Sequence, residues 1–189
     1  MKWKVLLFSV VAILFLTLLS FKIVLFLTPL TDYQQQSIDY LYGQEDELKV
    51  PFEENAMTHM QDVKKMFFYV EVIFYLSLLI VTGMFTYYKK NKKKQIEFLK
   101  YGGWTTIMGL GSLLMFALVG FNTLFMWFHK IFFPQGNWQF ASNSLLIQTF
   151  PIGFFISISL KIFLLTLIFG IVFIVVSKYM EHDIHHKRH

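Results

Sequence analysis

The sequence predicts an all-α membrane protein: a four-transmembrane-helix bundle with both termini cytoplasmic and a small extracytoplasmic cap formed by two outer loops. Two observations lead to this fold class. Hydrophobic residues make up 56% of the 189 residues and charged residues only 15%, whereas a soluble domain is about one quarter charged. The apolar residues also gather in four stretches, each long enough for the roughly 20 helical residues that cross a hydrocarbon core.

The first apolar stretch begins with Lys2 and Lys4 and in this respect is like a signal peptide. It has no small-x-small cleavage pattern after it, and its apolar run is long for a signal peptide, so we expect a retained helix. The other three stretches follow a polar segment, a lysine-rich turn and an aromatic loop. Within one membrane domain of residues 1–189, the predicted spans are 4–28, 66–88, 101–128 and 153–177.

The basic residues determine the predicted orientation. Eleven of the 17 lysines and arginines lie on the side shared by the N-terminus, the loop 89–100 and the tail 178–189. Most acidic residues lie in or near the segments 29–65 and 129–152. Because lysine and arginine favour the cytoplasmic side of a membrane protein, both termini are predicted to be cytoplasmic. The outer loops 29–65 and 129–152 then face outward.

Composition excludes several classes of function. The chain has no cysteine, which excludes a disulfide framework, a thiolate metal site and a cysteine nucleophile within it. The basic residues lie beside apolar spans rather than in one stripe, so no nucleic-acid partner is expected. No metal is predicted either, because His59 and Asp62 lack a convincing third ligand.

Each outer loop carries one histidine beside a span. His59 lies seven residues before Met66 with Asp62 at i+3, and His129 directly follows the third span. A single histidine at an interface is usually a residue with a satisfied hydrogen bond. Two histidines at similar depth are better candidates for catalysis, since histidine is the side chain best suited to move protons near neutral pH.

Polar residues also occur within the outer half of the spans. Such residues usually face the bundle interior or a water-filled cavity and mark function. Asn122 lies two turns from His129 on the same helical face. Glu71 and Lys161 have comparable depths, and a buried pair that fixes helix packing is the favoured interpretation. Lys22 is expected to extend to the outer headgroups.

The first outer motif is Phe52-Glu53-Glu54 followed by His59-Met60 and Asp62-Val63-Lys64, and the second is Phe128-His129-Lys130 with Phe132-Phe133 and Trp138. These motifs resemble those of the lipoprotein intramolecular transacylase (Lit) family, which are four-span membrane enzymes of Gram-positive bacteria. The resemblance extends over essentially the whole chain, and the two histidine motifs are its most specific part.

The resemblance implies an acyltransferase that needs no external cofactor. Its substrate would be a lipoprotein whose N-terminal cysteine carries a diacylglyceryl group. The enzyme would move the sn-2 acyl chain from the glycerol ester to the α-amino group of that cysteine, giving the lyso form. Its partners would be this lipoprotein and membrane lipids, in the bacterial cell membrane with the active site facing outside.

Within this reaction we expect His59 to act as general base. His129 would polarise the ester carbonyl or protonate the leaving glycerol oxygen. The two histidines could also exchange these roles. Trp138 suits an interfacial belt or a wall for the acyl chain. Further candidates fall into two groups: Glu54 and Asp62 to orient an imidazole, and Asn122 and Lys130 to donate hydrogen bonds to an oxyanion or headgroup.

Two other readings of the sequence stay open. An outward-facing membrane lipid hydrolase would use the same histidines and release free fatty acid. A noncatalytic membrane subunit, such as part of a transporter, would need polar residues along the inner half of the spans. There the chain offers only hydroxyl side chains such as Thr82 and Ser177, and none is ionisable.

Overall fold

The computed structural model describes residues 3–186, apart from the side chains of residues 113–119 and 185. Lys2, Lys187 and Arg188, which contribute to the predicted orientation, lie outside the described residues. Over residues 3–186 the structure has six helices and no strand, which confirms the all-α prediction for this part. The helices are α1 Trp3–Leu27, α2 Asp32–Leu41, α3 Glu54–Tyr87, α4 Lys92–Phe132, α5 Leu145–Thr149 and α6 Ile152–His186.

Among the described residues, three helices are long and apolar enough to cross a membrane: α1, α3 and, in α6, Ile152–Ile184. The predicted span 101–128 lies within α4, whose backbone is non-helical at Gly120 (φ 172°, ψ 92°). The number of four spans, the sides of the two termini and the outer cap therefore stay predictions.

Helix α3 begins well before its apolar part. No glycine or proline interrupts the chain between Pro51 and Gly83, so the polar residues from Glu54 to Lys65 continue the same helix. Its 34 residues reach about 50 Å, against a hydrocarbon core of about 30 Å. The first three turns, which carry His59, thus lie outside the apolar stretch that starts at Met66.

The described chain forms two compact units. The first combines residues up to Phe26 with Ile73–Met115 and the chain from Leu160 onward. Its core centres on Phe8, which is fully buried and stacks on Phe98 with the ring centroids 4.6 Å apart.

In the first unit, α4 and α6 approach closely at two glycines. A Cβ atom on Gly103 would lie 2.6 Å from the backbone oxygen of Gly170 and 2.7 Å from the Ile174 side chain. Small residues at such a crossing let two helices in a membrane pack backbone to backbone, where van der Waals contact is a main source of their affinity.

The second unit combines Leu27–Val72 with Phe116–Ser159 and holds both outer histidines. The Gln34 side chain donates a hydrogen bond to the Thr149 carbonyl at 2.7 Å, and the Leu145 amide donates to Glu53 at 3.2 Å. These bonds join α2, α5 and the start of α3. An apolar core packs beneath them, formed by Tyr40, Leu41, Leu48, Val50, Phe52, Ala56, Met60, Leu146 and Phe150.

We expect Thr31→Ala to destabilise the protein by about 1 kcal/mol. Thr31 caps α2 by accepting from the Gln34 amide, and the Gln34 side chain accepts from the Thr31 amide at 3.0 Å, which forms a capping box. Thermal unfolding in detergent micelles would measure the loss. Thr58→Ala is the matched control, since Thr58 is exposed inside a helix, and an equal loss in both variants would contradict the prediction.

Candidate active site

His59 lies on α3 in a pocket of aromatic rings. Only 7% of its surface is exposed. The Phe133 ring meets it edge-on with centroids 4.8 Å apart, and Phe140 lies at 5.6 Å. The imidazole of His129 is the next ring, with centroids 6.1 Å apart. The structure therefore brings the two predicted histidines together in one buried cluster.

His129 lies at the C-terminal end of α4, where its tautomer is fixed by the backbone. Its Nδ1 is 2.8 Å from the Phe125 carbonyl oxygen, which can only accept, so Nδ1 carries a hydrogen. In the neutral ring Nε2 is then the free acceptor. Phe125 and Trp138 pack against the imidazole at centroid distances of 4.1 and 5.0 Å.

The aromatic surroundings keep both imidazoles neutral near pH 7. Burial, followed by repulsion from His129, lowers the pKa of His59 to about 4, although Asn137 and Asp62 oppose the shift. Burial also lowers the pKa of His129, against the raising effect of the Phe125 carbonyl. Both residues lie outside the apolar stretches 66–88 and 101–128, and each neutral ring can accept a proton.

Asp62 lies one turn after His59 and is the centre of a polar network. Its Oδ1 pairs with Lys65 at 3.0 Å, and its Oδ2 accepts from Gln135 at 2.8 Å and from Asn137 at 2.9 Å. The hydrogen bonds from Lys65 and then Asn137 hold the pKa of Asp62 below its usual value. Asp62 therefore remains an anion that fixes two amide side chains from the loop after α4.

Sequence reasoning missed the two amides, Gln135 and Asn137. The available signal was local: both flank Gly136, which has φ +80°, a backbone conformation that favours glycine and turns the chain sharply. Two amides around a tight turn in an otherwise aromatic loop indicate polar partners nearby. The turn brings Asn137 to Asp62 across 75 residues of sequence.

The other predicted site residues are placed less centrally. Trp138 contacts His129, but Glu54, Asn122, Lys130 and Lys161 are exposed, and Glu71 is half-buried. Glu53, rather than Glu54, makes the hydrogen bond to α5. The roles proposed for these residues, including a pair between Glu71 and Lys161, stay predictions.

An open pocket of about 490 Å³ in the same unit contains neither histidine. It is lined by Tyr40, Gln61, Lys64, Lys65, Phe68 and Tyr69. Lysine, tyrosine and glutamine can bind polar groups, but none of them is an efficient proton carrier at neutral pH. We therefore assign the candidate chemistry to the histidine cluster and not to this pocket.

We expect the protein to lose stability as the pH falls from about 6.5 towards about 4. In the unfolded chain the histidines have their ordinary pKa, so below 6.5 the unfolded state binds more protons than the folded state. Of the groups that act on His59, His129 adds to this effect and Asp62 opposes it.

Thermal unfolding in detergent micelles at several pH values in this window would test that expectation. The melting temperature should drop on acidification, and it should drop less in His59→Phe, which keeps an aromatic ring but binds no proton. An equal drop in both proteins would show that His59 is not responsible.

Three comparisons with known proteins bear on this site. A family model described as lipoprotein intramolecular transacylase Lit matches residues 28–155, a range that includes both histidines. The structure is similar to that of the membrane integral lipoprotein intramolecular transacylase Lit from Bacillus cereus, with a TM-score of 0.83 and 22% identity over 97% of each chain. A form of the Bacillus protein with a histidine-to-alanine mutation gives a TM-score of 0.79, covering 97% of this chain and 94% of that one.

The chain is also similar to an uncharacterized protein of Aquifex aeolicus (strain VF5), 25% identical over 124 residues. The match takes in 65% of this chain and 55% of the Aquifex protein, so the chain spans about half the length of that relative.

Proposed function

Since the chain belongs to the lipoprotein intramolecular transacylase Lit family, we propose that it is an acyltransferase that acts on lipoproteins. It moves the sn-2 acyl chain of a diacylglyceryl group to the α-amino group of the N-terminal cysteine that carries this group. The product is the lyso-form lipoprotein. The observation that carries the proposal is the family match over residues 28–155, which includes both buried histidines.

The proposed reaction makes modest demands on the protein. An ester becomes an amide, so no energy source is required. The α-amino group has a pKa of about 8, and a useful fraction is therefore neutral at physiological pH. Donor and acceptor belong to one molecule, so holding them in the reactive geometry supplies much of the rate enhancement. Proton transfer and stabilisation of the tetrahedral oxyanion remain for the enzyme.

The protons of this reaction balance within the site. As the nitrogen attacks the ester carbonyl, it releases one proton, and the departing glycerol oxygen takes one up. We assign the acceptance to His59. The proton then passes to His129, whose Nε2 donates it to the departing glycerol oxygen, so both rings are neutral before and after the transfer. Two neutral imidazoles with ring centroids 6.1 Å apart support an exchange that needs no external acid or base. The reverse assignment of the two histidines is chemically equivalent.

The proposed site faces outward from a bacterial cell membrane. The chain would cross the membrane four times, with the loops 29–65 and 129–152 outside and both termini in the cytoplasm. The basic residues of the loop 89–100 support this orientation. The length of α3, which exceeds the thickness of a bilayer core, supports a position of His59 outside that core.

The experiment that tests this function uses a bacterial strain whose lipoproteins are otherwise diacylated. The chain is expressed there, and the N-terminal peptide of one lipoprotein is analysed by tandem mass spectrometry. Transfer of one acyl chain onto nitrogen without a change in mass is the expected result. An unchanged diacylglyceryl peptide, with the protein folded and in the membrane, would refute the proposal.

The same measurement separates the alternative functions. Release of free fatty acid without an N-acylated peptide would identify a membrane lipid hydrolase. A peptide and a fatty-acid pool that both stay unchanged would favour a noncatalytic membrane subunit.

A further inference from the structure

Two buried polar atoms in the site lack a hydrogen-bond partner. They are His59 Nδ1 and Asn137 Oδ1, and no other buried side-chain nitrogen or oxygen in the described part of the chain is in this condition. Both side chains lie beside Asp62, which follows His59 by one helical turn on α3 and accepts from the Asn137 amide at 2.9 Å. A buried donor or acceptor without a partner is costly, and a hydrogen bond between these two atoms would remove the cost for both.

The orientation of the Asn137 amide follows from its other contact. Its nitrogen lies 2.9 Å from Asp62 Oδ2, and a carboxylate oxygen can only accept, so this nitrogen must be the donating NH2 group. The amide oxygen is then the atom left for His59. Because an amide oxygen can only accept, the partner atom His59 Nδ1 has to carry the hydrogen.

We propose that Asn137 is a positioning residue that links Asp62 to His59 and holds the imidazole in the tautomer with Nδ1 protonated and Nε2 free. The inference rests on the proposed function only for its catalytic consequence, because the tautomer itself is a property of the folded protein. The Phe125 carbonyl fixes His129 in the same tautomer, so the two rings present equivalent nitrogen atoms to the substrate.

An amide between the carboxylate and the imidazole has a chemical advantage over direct contact. A carboxylate against Nδ1 stabilises the imidazolium and would keep the histidine charged. The Asn137 amide transmits the orientation set by Asp62 and carries no charge of its own. His59 is thereby held in place and stays neutral, which is the state that a proton acceptor requires.

The test is a tautomer measurement by NMR on protein with 15N-labelled histidine in nanodiscs. Wild type should show His59 in one tautomer with the hydrogen on Nδ1. Asn137→Leu, which keeps the shape but removes the acceptor, should give a mixture of tautomers. In parallel, transfer on a synthetic diacylglyceryl lipopeptide should show kcat lowered by about 10-fold and KM nearly unchanged, the size of one lost hydrogen bond.

Gln135→Ala is the matched control. Gln135 donates to the same Asp62 oxygen, at 2.8 Å, but it is exposed. This variant should keep both the wild-type tautomer and the wild-type kcat. If Asn137→Leu does not fold, Asp62→Leu tests the link from its other end, since it removes the acceptor that orients Asn137. It should also mix the tautomers of His59.

The outcomes separate this inference from the proposed function. A single Nδ1-protonated tautomer in wild type that persists in Asn137→Leu or Asp62→Leu would overturn the role of Asn137. A hydrogen on Nε2 in wild type would overturn it as well. Wild-type protein that shows the predicted tautomers but leaves the lipopeptide unchanged would refute the transacylase function and leave the positioning role standing.

Discussion

Replacing His59 or His129 by phenylalanine is expected to lower the rate of acyl transfer by about 10²–10⁴-fold, the usual contribution of a positioned proton-transfer group. Both imidazoles pack among aromatic rings, and His59 has Phe133 and Phe140 beside it. Phenylalanine preserves this packing and removes only the titrating nitrogens, so the loss would report on proton transfer. The ratio of N-acylated to unmodified lipoprotein peptide in mass spectrometry gives the rate.

The control for these variants is His182→Ala. His182 is an exposed residue near the end of α6, outside the histidine cluster, and its loss should leave transfer unchanged. Membrane levels of each variant and its melting temperature establish that it is folded. If either phenylalanine variant transferred the acyl chain at the wild-type rate, that histidine would have no role in the proton path.

Gly103→Leu should destabilise the protein by about 2–3 kcal/mol, the upper part of the range for overpacking a well-packed interior. The new side chain has no space, because a Cβ on Gly103 would already lie 2.6 Å from the Gly170 carbonyl oxygen. This oxygen belongs to the backbone, so α4 and α6 have to separate along the crossing. Because leucine is apolar, the substituted segment of α4 remains as compatible with a membrane as before.

Gly83→Leu makes the corresponding change where nothing lies within 4 Å of the added Cβ. Leucine is the better helix former at such a position, so the control should unfold at the wild-type temperature or above. Thermal unfolding of both variants in detergent micelles provides the comparison. Equal melting temperatures for Gly103→Leu and wild type would mean that the two helices do not depend on this contact.

The all-α class of the fold could be predicted from composition, because a helix that crosses a membrane needs about 20 consecutive, mostly apolar residues. The structure within the loop 29–65 was less accessible. Thr31 and Gln34 form a capping-box pattern that predicts the start of α2, but nothing nearby gives a strong apolar period. The early start of α3 at Glu54 was also hidden, since hydropathy marks where a helix becomes apolar and not where it begins.

The candidate site was predictable in part. His59 and His129 stand out because histidines are rare in the outer loops and each adjoins an apolar stretch. Asp62 could be placed near His59 from helical spacing alone. The position of Asn137 could not be predicted from helical spacing, because it depends on the turn at Gly136 and on a contact across 75 residues of sequence.

That long separation between Asp62 and Asn137 has a consequence for biosynthesis. A ribosome adds about 5–20 residues per second, so roughly 4–15 seconds pass between the emergence of the two partners of this hydrogen bond. During this interval the first turns of α3 have been synthesised, but Asn137, whose amide pairs with Asp62, has not. A nascent chain stalled before the turn at Gly136 therefore contains His59 without its ordered surroundings, and the proposed site is completed late in synthesis.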